Sequence, residues 1–579
     1  MNITKMRWMQ KVGKRARGGL SLCRAAIGAS AVGLLIGAGP SVSVAANLAA
    51  AEGRIVQTAE GPVRGLAMND GDEFLGIPYA APPVGNLRWR PPQPVKHWLA
   101  PLDATHYANT CPQVTEFGVF AGPPSVTEDC LYLNVFTTNL GHQSQDHTKL
   151  RPVIVWIHGG GDAAGESNDY DGSKLATGGP SGVPTVVVTF NYRLGLFGFL
   201  THPALDSEGH PFSNYGILDQ QAVLKWVQRN IKAFGGDPTN VTLAGESSGA
   251  TDTSANLVSP LAAGLFQRAI LESAPFDSAV HYGPLSAALA AGRQFAAAAG
   301  CPGDDATAAA CLRALPTARI LQLQGTPNAS GPYLIRENVT VDGTVIPMLP
   351  ATAFETGRFN KVPVMGGTQG DEGTFFNAVV EYSSLPPAPL TAPQYEALIT
   401  PIAVVPPEKV PAVLAEYPAA KYHSPQLALD SVVTDRIFAC EASDTLGRLA
   451  KHVPVYQYEF NYKGAPFYFP AMPGFVSLAS HTLELPFLFP GFHGGILGVN
   501  SRPFNARERI LSDAMVAAWT KFAQTGNPNG QADLPWPRFG NQYDTAGVLS
   551  FDLPNAGTLS GEKFRENHHC AFWDKLLGH

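Results

Sequence analysis

The sequence offers no cysteine pair in CxxC spacing and no histidine cluster, so a zinc site has no ligand set to rest on. Internal repeats are absent, as is any low-complexity tract beyond the N-terminal region. With 45% apolar residues the chain is globular rather than generally disordered. Charge is scarce, at 15% of residues, and the basic side is the smaller one, 40 Lys and Arg against 47 Asp and Glu. The net charge of −7 repels phosphate backbones and anionic lipid, which sets nucleic-acid binding aside. Long apolar runs are missing too: the stretch Ala25 to Gly39 is rich in Gly and Ala and falls short of a bilayer span.

What the N-terminus does hold is an address. Residues 1–24 carry Lys5, Arg7, Lys11, Lys14, Arg15, Arg17 and Arg24 and no acid. The apolar stretch follows, then Val44-Ala45-Ala46, a small-residue cleavage pattern, with a second at Ala49-Ala50-Ala51. The expectation is a signal peptide over residues 1–46, removed from a secreted or periplasmic protein whose net charge then moves from −7 to −14. An uncleaved membrane anchor is the alternative; after cleavage no stable membrane insertion is expected. Of seven cysteines, Cys23 falls in the signal, leaving Cys111, Cys130, Cys301, Cys311, Cys440 and Cys570. An even number in an exported chain reads as disulfides.

Between Val153 and Ser273 short apolar runs alternate with helical stretches. Pro152 to Ile157, Thr185 to Phe190 and Val241 to Ala244 are the runs. Asn214 to Phe234 has helical spacing, with Leu218, Val223, Leu224, Val227 and Ile231 sharing a face. Continuous apolar strands separated by helices predict an α/β fold, a large, mostly parallel central sheet with helices on both faces. The Ala-rich stretch from Gly283 to Gln324 reads as helical, and residues 385–415, despite their prolines, as a helical subregion with loops.

The chemistry is concentrated at Gly245-Glu246-Ser247-Ser248-Gly249, a G-x-S-x-G pattern. A serine hydroxyl needs a base to take its proton and a sharp strand-to-helix turn to expose it, and a cramped turn favours flanking glycines. Alone the pattern is weak; here an apolar strand precedes it and Ala250 to Leu257 can begin a helix. His158-Gly159-Gly160-Gly161 follows another strand. Ester cleavage passes through a tetrahedral oxyanion, and the amides of Gly160, Gly161 and Ser248 are the expected donors to it. The base and its acid should follow in the order Ser, acid, His. His158, His202 and His210 precede the serine, whereas His481 follows an aromatic-rich loop. For the acid, Asp371 and Glu372 are tied on spacing. A plain glycine turn and a flexible loop are the bland alternatives for the two glycine motifs.

Together these residues resemble the type-B carboxylesterase/cholinesterase family, of the secreted bacterial kind, over nearly all of the chain after residue 52. The resemblance runs through Phe74-Leu-Gly-Ile-Pro-Tyr-Ala80, Leu87-Arg-Trp-Arg-Pro91, Glu128-Asp-Cys-Leu-Tyr-Leu-Asn-Val135, Asn191-Tyr-Arg-Leu-Gly195, Phe234-Gly-Gly-Asp-Pro238 and Thr525-Gly-Asn-Pro-Asn529. It implies an α/β-hydrolase fold, residues 47–579 forming a single catalytic domain, with Glu372 as the triad acid. It implies the pairings Cys111–Cys130, Cys301–Cys311 and Cys440–Cys570, and it matches Ser273 to a serine that supports the triad carboxylate. Three departures stand out. Ser248 replaces the common Ala, Asp162 stands where an aromatic is usual, and the Cys111–Cys130 loop lacks the Trp with which cholinesterases hold quaternary ammonium.

The expected function is therefore carboxylic-ester hydrolysis, without metal or organic cofactor, on small-molecule esters. His481, oriented by Glu372, takes the Ser247 proton; the alcohol leaves, and water then releases the acid from an acyl-enzyme. Activity should fall below about pH 6–7, where imidazole protonates. Lipase, amidase and thioesterase activities on the same triad are the alternatives, with a non-catalytic binding homologue behind them. Asp162 and Glu246 are expected near the substrate pocket, disfavouring anionic substrates, unless Asp162 simply faces solvent. Phe467 and Phe469, with Tyr468 and Phe475, are expected to line an apolar gorge. Acyl length, alcohol group and oligomeric state are not legible.

Overall fold

Val, Ile and aromatic residues fill the runs that become strands, as strands covered on both faces require. The computed structural model describes residues 53–578 except 69, 114–122, 139, 141–148, 211–212, 275–280, 325–338, 383, 385, 495–501, 531–534, 541–546 and 555. The expected signal peptide, residues 1–46, lies outside the described residues.

Among the described residues eleven strands form one sheet. In chain order they are β1 (Leu66–Ala67), β2 (Asp72–Pro78), β3 (Tyr132–Thr137), β4 (Arg151–Ile157), β5 (Val186–Phe190), β6 (Gly236–Glu246), β7 (Arg268–Glu272), β8 (Val364–Gln369), β9 (Val455–Phe460), β10 (Gly547–Phe551) and β11 (Gly557–Ser560). Across the sheet they run β11-β10-β9-β8-β7-β6-β4-β5-β3-β2-β1. The seven from β10 to β5 are mutually parallel, and antiparallel strands close both edges. This is the mostly parallel sheet expected. β6 starts earlier than the apolar run suggests, at Gly236, because Gly235 (φ 80°) ends the preceding helical turn and the chain enters the strand at once.

Strand alternation sends successive residues into two cores. Val153, Val155 and Ile157 of β4 join a core with Leu224 and Val227, Leu257, and Leu446 and Leu449. These come from helices α1 (Tyr215–Asn230), α2 (Ser248–Val258) and α3 (Cys440–Ala450). Ile154 and Trp156 face the other core, with Met515, Trp519 and Phe522 of α4 (Ala506–Thr525). Helices thus cover both faces, and the β4, β6 and β7 ends that carry the site lie side by side. The Ala-rich region is helical over Leu285–Ala298, Ala306–Ala314 and Thr317–Gln324, and the Pro-rich one over Ala392–Ala403 and Val410–Glu416.

Three disulfides, Cys111–Cys130, Cys301–Cys311 and Cys440–Cys570, are those the resemblance implied. No described helix is long and apolar enough to cross a membrane. Disulfides persist in oxidising compartments, so the bonding is consistent with an extracellular or periplasmic protein.

Candidate active site

β6 ends at Glu246 and α2 begins at Ser248, which leaves Ser247 alone on the turn. Its φ of 56° and ψ of −127° are a backbone state that a non-glycine residue keeps only when its surroundings hold it there. One such hold is the Ser247 amide, which donates to Glu272 O at the end of β7 (2.9 Å). Another is close packing: a Cβ on Gly249 would lie 2.2 Å from Ile157 O, so α2 meets the end of β4 at a distance only glycine allows.

His481 closes onto this serine. Its Nε2 lies 3.0 Å from Ser247 Oγ, and its Nδ1 lies 2.5 Å from Glu372 Oε2. The other Glu372 oxygen accepts the Gln369 amide (2.7 Å). Asp371, level with Glu372 on spacing, points elsewhere; its carboxylate accepts the Ala479 amide (3.2 Å) and pairs with Lys463 (3.2 Å). Three rings pack around the imidazole: Phe438 at 5.0 Å, Phe376 at 5.6 Å and Phe375 at 5.7 Å.

Gly160 and Gly161 leave β4 with φ values of 113° and 65°. A Cβ on Gly160 would lie 2.3 Å from Ala164 O, so this turn too is closed to other residues. Ser248, the first residue of α2, has an amide with no partner inside the helix, at the positive end of the helix dipole. The Asp162 amide donates to Ser248 Oγ (3.2 Å), joining the glycine turn to the start of α2. The glycine turn and the start of α2 thus lie together beside Ser247, a Cβ on Gly159 falling 3.0 Å from Ser247 Cβ.

The pocket residues divide. Glu246 is fully buried, its Oε1 3.3 Å from His481 Nε2. Burial, then the charges of Glu484, Glu372 and Glu272, push its pKa well above the ordinary range. Asp162 does not face solvent but is 1% exposed, facing Asp252, Tyr192 and Ser248, and burial raises its pKa as well. Both expected pocket carboxyls thus lie buried, with burial disfavouring their charged forms. Phe467 stacks on Phe469 (5.3 Å) and Phe475 (5.6 Å), and Phe469 meets Phe375 (5.8 Å), which meets His481. The Tyr468 hydroxyl donates to His481 O (3.2 Å). Ser273 Oγ accepts from Gln369 Nε2 (3.1 Å) and faces the Glu484 carboxyl, while Glu372 is met by the Gln369 backbone amide.

Sequence reasoning missed two buried glutamates and the rings around His481. Burial pushes Glu272 up to about 8 and raises Glu484 well above its ordinary range, with Glu272 and Glu372 as the next causes for Glu484. The signal was position: Glu272 precedes Ser273 and Glu484 stands three residues after His481. Among the described residues no group of His, Cys, Asp and Glu side chains is arranged to hold a metal ion.

Known proteins agree with this architecture. A model of the carboxylesterase family matches residues 52–573. Para-nitrobenzyl esterase of Bacillus subtilis (strain 168) is 34% identical over 517 residues, covering 88% of this chain and 97% of that protein. Cocaine esterase of Homo sapiens is 33% identical over 522 residues, covering 87% of each. A solved thermophilic PNB esterase superposes with a TM-score of 0.71 at 31% identity, covering 89% of this chain and 99% of that one.

Proposed function

The chain belongs to the carboxylesterase family and is a carboxylic-ester hydrolase, and from that premise we propose that it works through an acyl-enzyme on Ser247, with His481 as base and Glu372 as orienting acid. The observation that carries this reading is the pair of contacts at His481, 3.0 Å to the Ser247 hydroxyl and 2.5 Å to Glu372. His481 removes the hydroxyl proton as Ser247 attacks the ester carbonyl. The amides of Gly160, Gly161 and Ser248 receive the oxyanion, each such donor being worth about 10²–10³ in turnover. His481 then protonates the departing alcohol and activates the water that frees the acid. Phe375, Phe376 and Phe438 keep the imidazole dry, which strengthens each of these charge interactions.

The test is hydrolysis of a p-nitrophenyl ester ladder, short to long acyl, by the natural protein and Ser247→Ala. Turnover should fall about 10⁴-fold or more in the variant. The chain-length optimum separates esterase from lipase. A folded natural protein inert on every ester would favour the binding homologue instead. Residues 1–46 act in this proposal as an export signal, supported by the basic start, the apolar stretch and the three disulfides. N-terminal sequencing of exported protein should find the chain starting near residue 47; an intact Met1 would refute the cleavage.

A further inference from the structure

Two carboxyl groups that this mechanism does not use, Asp162 and Asp252, are buried against each other beside Ser248. Asp162 ends the glycine turn after β4, and Asp252 stands on α2, one turn beyond Ser248. They are 1% and 0% exposed. Neither Asp162 oxygen, nor Asp252 Oδ1, has a well-aligned donor; the side chains of Ser248 and Tyr192 and the facing carboxyl are what lie near Asp162.

The neighbours compensate only in part: burial raises Asp162 by more than hydrogen bonding from Ser248 and Tyr192 lowers it. Tyr192, neutral because burial raises its hydroxyl well above the ordinary range, gives its O–H to His158 O (3.0 Å). Ser248 Oγ accepts the Asp162 amide (3.2 Å), and the Gln220 side chain of α1 donates to Asp252 Oδ2 only. His158, packed on Tyr192 at 4.6 Å, is kept neutral by burial, which lowers it to about 4. The nearby Arg193 is occupied by Asp219 (2.7 Å). Two bare carboxylates in such a place repel, whereas one proton between them makes a charge-assisted hydrogen bond.

We propose that Asp162 and Asp252 share one proton, and that this carboxyl–carboxylate bond pins the glycine turn to α2, keeping the Gly160 and Gly161 amides in register with that of Ser248. The proposal rests on reading those amides as the oxyanion hole. Both aspartates are positioning residues, since neither touches the reacting atoms. Burial raises both, Asp162 to about 7, and the Asp162 charge raises Asp252 further, so the pair holds its last proton well above the ordinary carboxylate range. At high pH hydroxide removes it. Two like charges then sit on the two halves of the hole and push them apart.

The test is the pH profile of kcat on a saturating short-chain p-nitrophenyl ester, for the natural protein, Asp162→Asn, Asp252→Asn and Ser247→Ala. The natural protein should lose kcat on the alkaline side with a slope of about −1 in log kcat, one proton being lost. The fall should reach about tenfold to a hundredfold, within the cost of one oxyanion donor. Each Asn variant donates a permanent N–H to the remaining carboxylate, so its alkaline limb should vanish. A natural protein with flat kcat up to its unfolding pH overturns the proposal without any variant. Asn variants that fold and keep the natural alkaline limb overturn it too. If Ser247→Ala retains turnover, the acyl-enzyme reading itself fails; if only the alkaline limbs disagree, the proton-sharing pair fails alone.

Discussion

Glu272 carries a cost that the fold must offset. One oxygen accepts the Trp519 indole N–H (2.7 Å) and the other has no partner, in a position with no exposure. Burial pushes its pKa up to about 8. Between the ordinary carboxylate range and that value, the unfolded chain has released this proton and the folded protein has not. Stability therefore falls as pH rises across that window, and the loss levels off once the folded group ionises as well. Glu272→Gln keeps the shape and the oxygen that Trp519 needs. It should raise stability by about 1–2 kcal/mol at pH 7.5 and have little effect at pH 4.5. Thermal melts at both values check this; a variant less stable at both would show that the carboxyl is needed in its own right. The residues of the site that were legible before the structure are marked in the sequence itself. Ser247, Gly160 and Gly161 belong to short contiguous patterns whose turn chemistry is written in adjacent residues, and His481 stands out by chain order and the aromatic-rich loop before it. Glu272, Glu484 and Asp252 matter through desolvation by segments far away in the chain, and burial has no local signature. Spacing alone ties Asp371 and Glu372 for the same reason, and it is the family resemblance, not the local pattern, that chooses Glu372.

Strand and helix meet most tightly at the turn around Ser247, where two preferences conflict. Gly249 lies inside α2, where alanine would stabilise a helix by about 1 kcal/mol. Yet a Cβ there would sit 2.2 Å from Ile157 O and 2.8 Å from His158 O, both backbone atoms that cannot rotate away. The clash wins. Gly249→Ala should lose about 1–3 kcal/mol of stability and about 10²-fold or more in kcat, because α2 must back away from β4 and take the Ser248 amide with it. Denaturant midpoints and kcat on one ester, measured together, check this; an active and stabilised variant would contradict the packing at the turn. The same strand pairings explain which elements could be foreseen. β4, β5 and β6 are buried on both faces, so their apolar runs stand out in the chain. β1 and β11 lie at the sheet edges with half-exposed, mixed residues, and their short segments carry no run to find.

The far end of the chain is tied to the body twice, by a covalent bond and by an ion cluster. Cys440–Cys570 closes 130 residues and Cys301–Cys311 only 10. Loop entropy alone assigns about 5 kcal/mol to the first and about 3 kcal/mol to the second. Serine at both positions of each pair should therefore cost more for the long loop, a ranking that thermal melts test directly. The cluster lies two residues before Cys570. His568 Nδ1 meets Asp435 Oδ1 (2.7 Å) and Nε2 meets Glu459 Oε1 (2.6 Å), while the Tyr417 hydroxyl donates to the second Asp435 oxygen (2.8 Å). Burial disfavours a charged imidazole there, but hydrogen bonds and charge from both carboxylates overcome it and lift His568 to about 10. A histidine raised in this way contributes stability that is fully present below its unfolded value, about 6.5, and is lost as pH climbs through the folded one. His568→Gln removes the charge between two buried carboxylates, and breaking such a pairing costs about 3–5 kcal/mol. The penalty should be largest at pH 6 and shrink toward pH 10, where the natural imidazole loses its own proton. Urea midpoints of both proteins at pH 6, 8 and 9.5 give the comparison. A penalty constant over that range would mean His568 holds the C-terminal segment by shape rather than by charge.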